Sequence, residues 1–174
     1  MENDNIQIGN CEEGDICEII EIEGESFPSP WSENIFRGEM KNPIARMLVG
    51  RDHRLAGKAV AGYVVYWQVV DEMQLHNIAV RKDQRKKRIA SLLLRAAIRA
   101  SQLEGARSVT LEVRRSNLPA QNLYEKFGFS VKGVRPGYYT DTGEDALILW
   151  ADLDLILASG RGCPGIGKEP TSKE

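Results

Sequence analysis

The stretch from Asn77 to Leu94 constrains this chain more than any other. The apolar run Ile78-Ala79-Val80 ends, the cations Arg81, Lys82, Arg85, Lys86, Lys87 and Arg88 follow, and a helix-period pattern begins at once with Ile89, Leu92 and Leu93. Read physically, this is a strand, a basic loop and a helix start, in that order. A helix N-terminus leaves several backbone N–H groups without intrahelical partners and carries partial positive charge, so it is a natural seat for phosphate. Standing alone, the segment reads more readily as a solvated basic turn. The formal net charge of −2 gives the chain no general basic field, so the cations of residues 81–88 serve a local purpose. A small anionic ligand suits them better than a nucleic acid.

The 174 residues are enough for one domain with a core that needs no staples. Hydrophobic residues at 42% and charged residues at 28% are the proportions of an ordinary globular protein, which sets aside disorder. No run of about 18 apolar residues exists to cross a membrane. The start, Met1-Glu2-Asn3-Asp4, lacks the basic and apolar regions of a signal peptide, so a cytoplasmic location is expected. Cys11, Cys17 and Cys163 show no CxxC spacing, and His53 and His76 are the two histidines. Neither a metal site nor a disulfide framework is expected.

In chain order, residues Ile6 to Cys11 read as a first strand. A helix capped by Asp15 follows, with Ile16, Ile19, Ile20 and Ile22 on its apolar side. Phe27-Pro28-Ser29-Pro30 stops it, and a second helix is expected from Trp31 to about Lys41. The aromatic and proline residues from Phe27 to Trp31 fit a cleft lining and a core cap equally. Arg46–Gly50 and Val60–Val70 read as paired antiparallel strands joined by a turn with Gly57, and the near-continuous apolar run Val60–Trp67 predicts a central strand buried on both faces.

In the strand Met73–Val80 the apolar alternation begins on Met73 and Leu75 and resumes out of phase on Ile78 and Val80. An odd shift reverses the buried face unless a β-bulge absorbs a residue, which predicts a bulge at His76-Asn77. Such a kink frees backbone groups to bind something extended. A strand of mixed burial without a bulge is the alternative.

A helix from about Arg88 to Glu104 is expected to turn Ile89, Leu92, Leu93, Ala96, Ala97, Ala100 and Leu103 inward, with Arg95, Arg99 and Gln102 outside. Val109, Leu111 and Val113 then alternate with Thr110, Glu112 and Arg114, placing Glu112 on a polar face. Ser116 or Asn117 caps a helix that runs to Phe127, with Pro119 in its first turn. Asn117 and Tyr124, two turns apart, share a face of it. Strands Phe129–Val134 and Asp145–Leu155 flank a hairpin holding Tyr138 and Tyr139, and residues 158–174 read as a flexible tail beyond a single domain of residues 1–157. The tail's Gly162-Cys163-Pro164-Gly165-Ile166-Gly167-Lys168 imitates a phosphate loop, but Glu169 replaces the required Ser or Thr and too few residues remain for the helix.

The order β-α-α-β-β-β-α-β-α-β-β over residues 5–155 resembles the GNAT superfamily, the GCN5-related N-acetyltransferases. Its acetyl-CoA motif, (Arg/Gln)-x-x-Gly-x-(Gly/Ala), is matched by Arg85-Lys86-Lys87-Arg88-Ile89-Ala90 at its first and last positions, with Arg88 where the glycine belongs. An arginine is tolerated there if it takes ordinary helical dihedrals. Leu75-His76-Asn77-Ile78-Ala79-Val80, Leu111-Glu112-Val113-Arg114-Arg115-Ser116-Asn117, Leu123-Tyr124-Glu125-Lys126-Phe127-Gly128-Phe129 and Tyr138-Tyr139 further resemble the RimI type, bacterial ribosomal-protein-alanine N-acetyltransferases.

The resemblance implies an α/β (α+β) fold with a central mixed, mostly antiparallel sheet of about seven strands flanked by four helices. It implies acetyl-CoA as acetyl donor and a protein N-terminus as acceptor, a small-subunit ribosomal protein, with no nucleic acid, membrane or metal partner. Ile78, Ala79 and Val80 would bind the pantetheine arm, Arg85, Lys86, Lys87, Arg88, Ile89, Ala90 and Ser91 the pyrophosphate, and Asn117 the region near the thioester. Glu112 would be the base that deprotonates the amine and Tyr124 the acid that protonates the leaving thiolate. Lysine, polyamine or small-molecule acetylation on the same scaffold is the alternative, as is a non-catalytic acyl-CoA-binding module.

Overall fold

The computed structural model describes residues 5–55 and 59–158. The turn around Gly57 and the expected flexible tail lie outside these residues, apart from Ala158. The elements are β1 (Gln7–Asn10), α1 (Ile16–Ser26), α2 (Glu33–Lys41), β2 (Ala45–Arg51), β3 (Val60–Val69), β4 (Glu72–Val80), α3 (Ile89–Leu103), β5 (Ser108–Arg114), α4 (Leu118–Lys126), β6 (Ser130–Tyr139), β7 (Glu144–Asp152) and α5 (Leu153–Ala158). They build one seven-stranded sheet in the order β1-β2-β3-β4-β5-β7-β6. All neighbours are antiparallel except β4 and β5, which run parallel. The expected mixed sheet is present.

Each face of the sheet has its own core. On one, Leu93, Leu94, Ala97 and Ile98 of α3 pack with Tyr66, Leu75, Leu111, Tyr124, Phe127, Leu153 and Ile156. On the other, Ile16, Ile19 and Ile22 of α1 and Phe36 of α2 pack with Val49, Tyr63, Val65 and Ala79, and Phe27 and Trp31 close over them. The aromatics of the α1–α2 loop therefore serve as core caps. Strand β3 is buried from Val60 to Tyr66, as its continuous apolar run requires.

Five local expectations differ from the structure. Helix α2 begins at Glu33, with Ser32 at its N-cap and Trp31 outside it. Asp15 makes no capping bond to α1; its carboxylate accepts from the Glu12 N–H at 2.7 Å and pairs with Arg51 at 2.6 Å. In α3, Leu94, Ile98 and Ser101 are buried whereas Leu103 is 83% exposed: near the end of the helix the Ser101 hydroxyl donates to Gln68 of β3, and Gln102 Nε2 to the Leu153 carbonyl oxygen at 3.0 Å. Its buried arc is wider than one stripe and rotated from it, and even Arg95 Nε and Gln102 Oε1 are enclosed.

The last strand ends at Asp152 rather than Leu155. Asp152 Oδ1 accepts from the backbone N–H of Asp154 and Leu155, at 2.9 and 3.3 Å, and starts a fifth helix, the work of an N-cap aspartate. Strand β6, for its part, continues to Tyr139 across two register breaks. No helix among the described residues is long and apolar enough to cross a membrane.

The packing of α3 yields a direct contrast. Leu93→Ala should cost about 2–5 kcal/mol in urea denaturation, and Leu103→Ala should stay within about 0.5 kcal/mol.

Candidate active site

Strands β4 and β5 form a fork. They pair in register from Glu72↔Ser108 to Leu75↔Leu111 and then part. Beyond that point β4 is held by β3 alone and β5 by β7 alone among the described residues. The cause lies in the β3–β4 ladder, where Tyr66 pairs with Leu75 and Val65 with Asn77, so that His76 is left over. The expected bulge is there, and past it Ile78, Ala79 and Val80 turn toward β5 a side that has no strand partner. Gly62 keeps β3 and β4 tight at this end, since a Cβ there would stand 2.7 Å from the Ala79 carbonyl oxygen.

A buried carboxylate fixes the bulge. Glu23, 1% exposed in the last turns of α1, accepts hydrogen bonds from the Tyr63 hydroxyl and from Asn77 Nδ2, the latter at 3.1 and 3.2 Å. The Trp31 N–H donates to it at 2.8 Å. One side chain thus joins α1, the α1–α2 loop, β3 and the bulged strand. Burial and the adjacent Glu23 carboxylate hold the Tyr63 phenol protonated. Sequence reasoning missed this network. The signal was a glutamate seven residues after Ile16, on the apolar stripe of α1.

The basic loop divides into structural and outward-facing cations. Arg81 bonds the Val60 carbonyl oxygen and pairs with Glu18 at 2.6 Å, so it belongs to the scaffold. Arg85 donates to the Val80 carbonyl oxygen at 3.1 Å and to Ser26 Oγ at 3.0 Å, and Lys87 Nζ donates to Gln84 Oε1 at 2.8 Å. Lys86 and Arg88 are exposed and make no ion pair among the described residues. Ile89 anchors the start of α3 in the core, Ala90 and Ser91 are half-buried, and the first turn holds no acidic residue.

Ordinary helical dihedrals are not what Arg88 adopts. It lies at φ 61°, ψ 13°, in the left-handed region, and Lys86 at φ 65° joins it there. A side chain in this region costs roughly 1–2 kcal/mol that glycine would not.

On the other arm of the fork, Thr110, Glu112 and Arg114 face away from the core formed by Val109, Leu111 and Val113. Glu112 is half-buried, with Arg135 Nη2 3.3 Å from its carboxylate. Arg114 is the hub beside it. It bonds Asp141 at 2.7 and 3.0 Å and Thr142 at 2.9 Å, lies 3.5 Å from Glu144, and covers the Tyr139 ring at 3.8 Å. Ser29 of the α1–α2 loop donates to Asp141 at 3.1 Å, closing a span between that loop and the β6–β7 turn. Hydrogen bonding from Arg114 lowers the Asp141 pKa, and hydrogen bonding from Ser116 lowers that of Glu144.

Tyr124 is buried against Phe129, and its hydroxyl makes no hydrogen bond among the described residues. Burial first, and then the Tyr139 phenol, raise its pKa, so it stays protonated. Tyr139 is itself pushed up to about 12, mainly by burial and partly by Glu112. Asn117 caps α4 by accepting from the Ala120 N–H at 3.2 Å, and its amide nitrogen makes no hydrogen bond among the described residues. No group of three or more His, Cys, Asp or Glu that could hold a metal occurs among the described residues.

Residues 16–129 match the family described as Acetyltransferase (GNAT) family. The chain belongs to the GNAT acetyltransferases. Those enzymes use acetyl-CoA. A Bacillus subtilis relative, provisionally named a ribosomal protein bS18-alanine N-acetyltransferase, is 44% identical over 142 residues, covering 80% of this chain and 91% of its own. The Salmonella typhimurium protein of that name is 35% identical over 137 residues, 78% of this chain and 89% of its own. The crystal structure of the Escherichia coli ribosomal-protein-S18-alanine N-acetyltransferase superposes with a TM-score of 0.76 at 31% identity, over 85% of this chain and 94% of that one.

The left-handed arginine of this GNAT loop predicts a gain. Arg88→Gly should raise stability by about 0.5–1 kcal/mol in urea denaturation, the relief at φ 61° exceeding the added freedom of the unfolded chain.

Proposed function

We propose that this enzyme transfers acetyl from acetyl-CoA to the α-amino group of a protein N-terminus, the acceptor being a small-subunit ribosomal protein that begins with alanine. The observation that carries this reading is the fork. It has backbone without a strand partner on one arm and Glu112 on the polar face of the other, and Tyr124, kept protonated by burial, lies on the helix that follows that arm. The names of the relatives support the acceptor.

The residues fit the donor. The open side of β4 offers backbone groups of Ile78, Ala79 and Val80 to the pantetheine arm, as an added strand would take them. Arg85, Lys86, Lys87 and Arg88, with the N–H groups of Ile89, Ala90 and Ser91 in the first turn of α3, would hold the pyrophosphate. Asn117 retains an amide nitrogen for the region near the thioester. Acetyl-CoA supplies an acyl group already activated as a thioester.

An α-ammonium has a pKa of about 7.7–8.0 and is not nucleophilic until it loses a proton. Glu112, at the polar face of the fork, takes that proton directly or through water. Tyr124, kept neutral by burial, gives one to the departing sulfur.

Glu112→Gln and Tyr124→Phe should each lower kcat by about 10²–10⁴-fold with folding retained by circular dichroism. Lys86→Ala should weaken acetyl-CoA binding by about tenfold in calorimetry, the scale of one charge-assisted hydrogen bond. Mass spectrometry of peptides that begin with alanine or carry an internal lysine should locate the new acetyl group on the α-nitrogen. Acetyl-lysine alone would overturn the acceptor, and transfer to no amine would overturn the activity.

A further inference from the structure

His76 is a titratable side chain at the fork to which the reading above gives no role. The β4–β5 register ends at Leu75↔Leu111, so His76 and Glu112 are the next residue on each arm, the first two positions after the strands part. His76 is also the residue that the β3 ladder skips. Bulges re-aim side chains, and this one puts the imidazole on the Trp67 ring, with centroids 4.3 Å apart and planes tilted by 50°. Trp67 is in turn fixed by its Nε1–H, which donates to Glu39 of α2 at 2.7 Å. The ring is therefore held from one side while the residue remains exposed to solvent.

We propose that His76 works with Glu112 as a proton relay, accepting the proton that the acceptor α-ammonium loses and passing it to solvent. This rests on the reading that the acceptor is an amine deprotonated at Glu112. The charged groups acting on the ring are Glu39 from α2 and Glu112 from β5, and Arg135 of β6 stands 3.3 Å from Glu112. The Trp67 side of the ring is out of water, and that desolvation disfavours the imidazolium more than these carboxylates favour it, which lowers the pKa from its ordinary value and leaves the ring a neutral acceptor at pH 7. An imidazole is also closer to an α-ammonium in basicity than an ordinary carboxylate is, which lessens the uphill step of removing the proton.

The protons balance. One N–H bond of the ammonium breaks, and its proton passes through Glu112 to the unprotonated nitrogen of His76 and then to water. The nitrogen lone pair so freed forms the C–N bond as the C–S bond breaks. Tyr124 protonates the sulfur and is reprotonated by the second proton that the nitrogen sheds. No oxidant or reductant is needed.

The test is the pH profile of kcat from pH 5.5 to 9, with saturating acetyl-CoA and a peptide beginning with alanine. In the wild type, the acid fall of kcat should lie below pH 6.5. His76→Phe keeps a ring on Trp67 but has no basic nitrogen. Its acid fall should move into the range of the amine itself, between about pH 7 and 8. It should be about tenfold slower than wild type at pH 6.5, recover to within about twofold above pH 8.5, and keep its acetyl-CoA affinity in calorimetry. His76→Gln should behave alike, and carries the test if the phenylalanine variant does not fold. Superposable profiles would overturn the relay, and so would a loss of equal size at every pH, which marks a structural role. A wild type that acetylates no peptide N-terminus would overturn the reading beneath it instead.

Discussion

The site depends on two parallel strands that pair for four residues and then part. Parallel neighbours in a sheet ordinarily share a ladder along their whole length, so something must stop this one. The leftover His76 does so by kinking β4, and the kink is secured from the other face by Glu23 through Asn77 and Tyr63. A carboxylate so deeply enclosed is tolerable only with its hydrogen bonds made, and removing a partner of such a group is strongly destabilising. The core of the α1 face and the open arm of the fork are in this sense one construction. The Trp31 N–H, bonded to the same carboxylate, ties the α1–α2 loop to it.

The loop before α3 follows a second constraint, backbone geometry. The chain must turn sharply between the end of β4 and the start of α3, and it does so with two left-handed residues, Lys86 and Arg88. Glycine would adopt these dihedrals without strain. Arg88 adds a cation to the loop at a cost in stability, and Ile89, fully buried one residue later, holds the helix start in place against that strain. Arg81, the cation nearest β4 in sequence, has been spent on Glu18 and the Val60 carbonyl oxygen. Positive charge in a loop is thus not equivalent from residue to residue.

Much of this could be read from the chain. The out-of-phase apolar pattern around His76 located the bulge, because side chains in a strand alternate with a period of two and a slip has few physical remedies. The continuous run from Val60 located the central strand, and the cap residue Asn117 the start of α4. Less was legible where burial depends on neighbours distant in sequence. The inward arc of α3 differs from the expected stripe at Leu103 and Ile98, since the helix is turned by contacts with Gln68 and Leu153 that its own periodicity does not encode. The fifth helix was missed although Asp152 is a good cap, because the preceding apolar run was as consistent with a longer strand. The dihedrals of Arg88 were misjudged because the residue type argues against a left-handed turn and only the closure of the loop imposes it.

By itself, then, the sequence determined the order of elements through β7, the bulge, the basic helix start and the polar face bearing Glu112. Those features follow from local periodicity, capping and charge. Tertiary structure alone decided which groups meet. It turned Glu23 inward to three donors, committed Arg81 to the scaffold and made Arg114 a hub for Asp141 and Tyr139. It also put His76 and Glu112 at the first positions after the strands part. Strand pairing brings together residues tens of positions apart, and no periodicity in the chain encodes which ones.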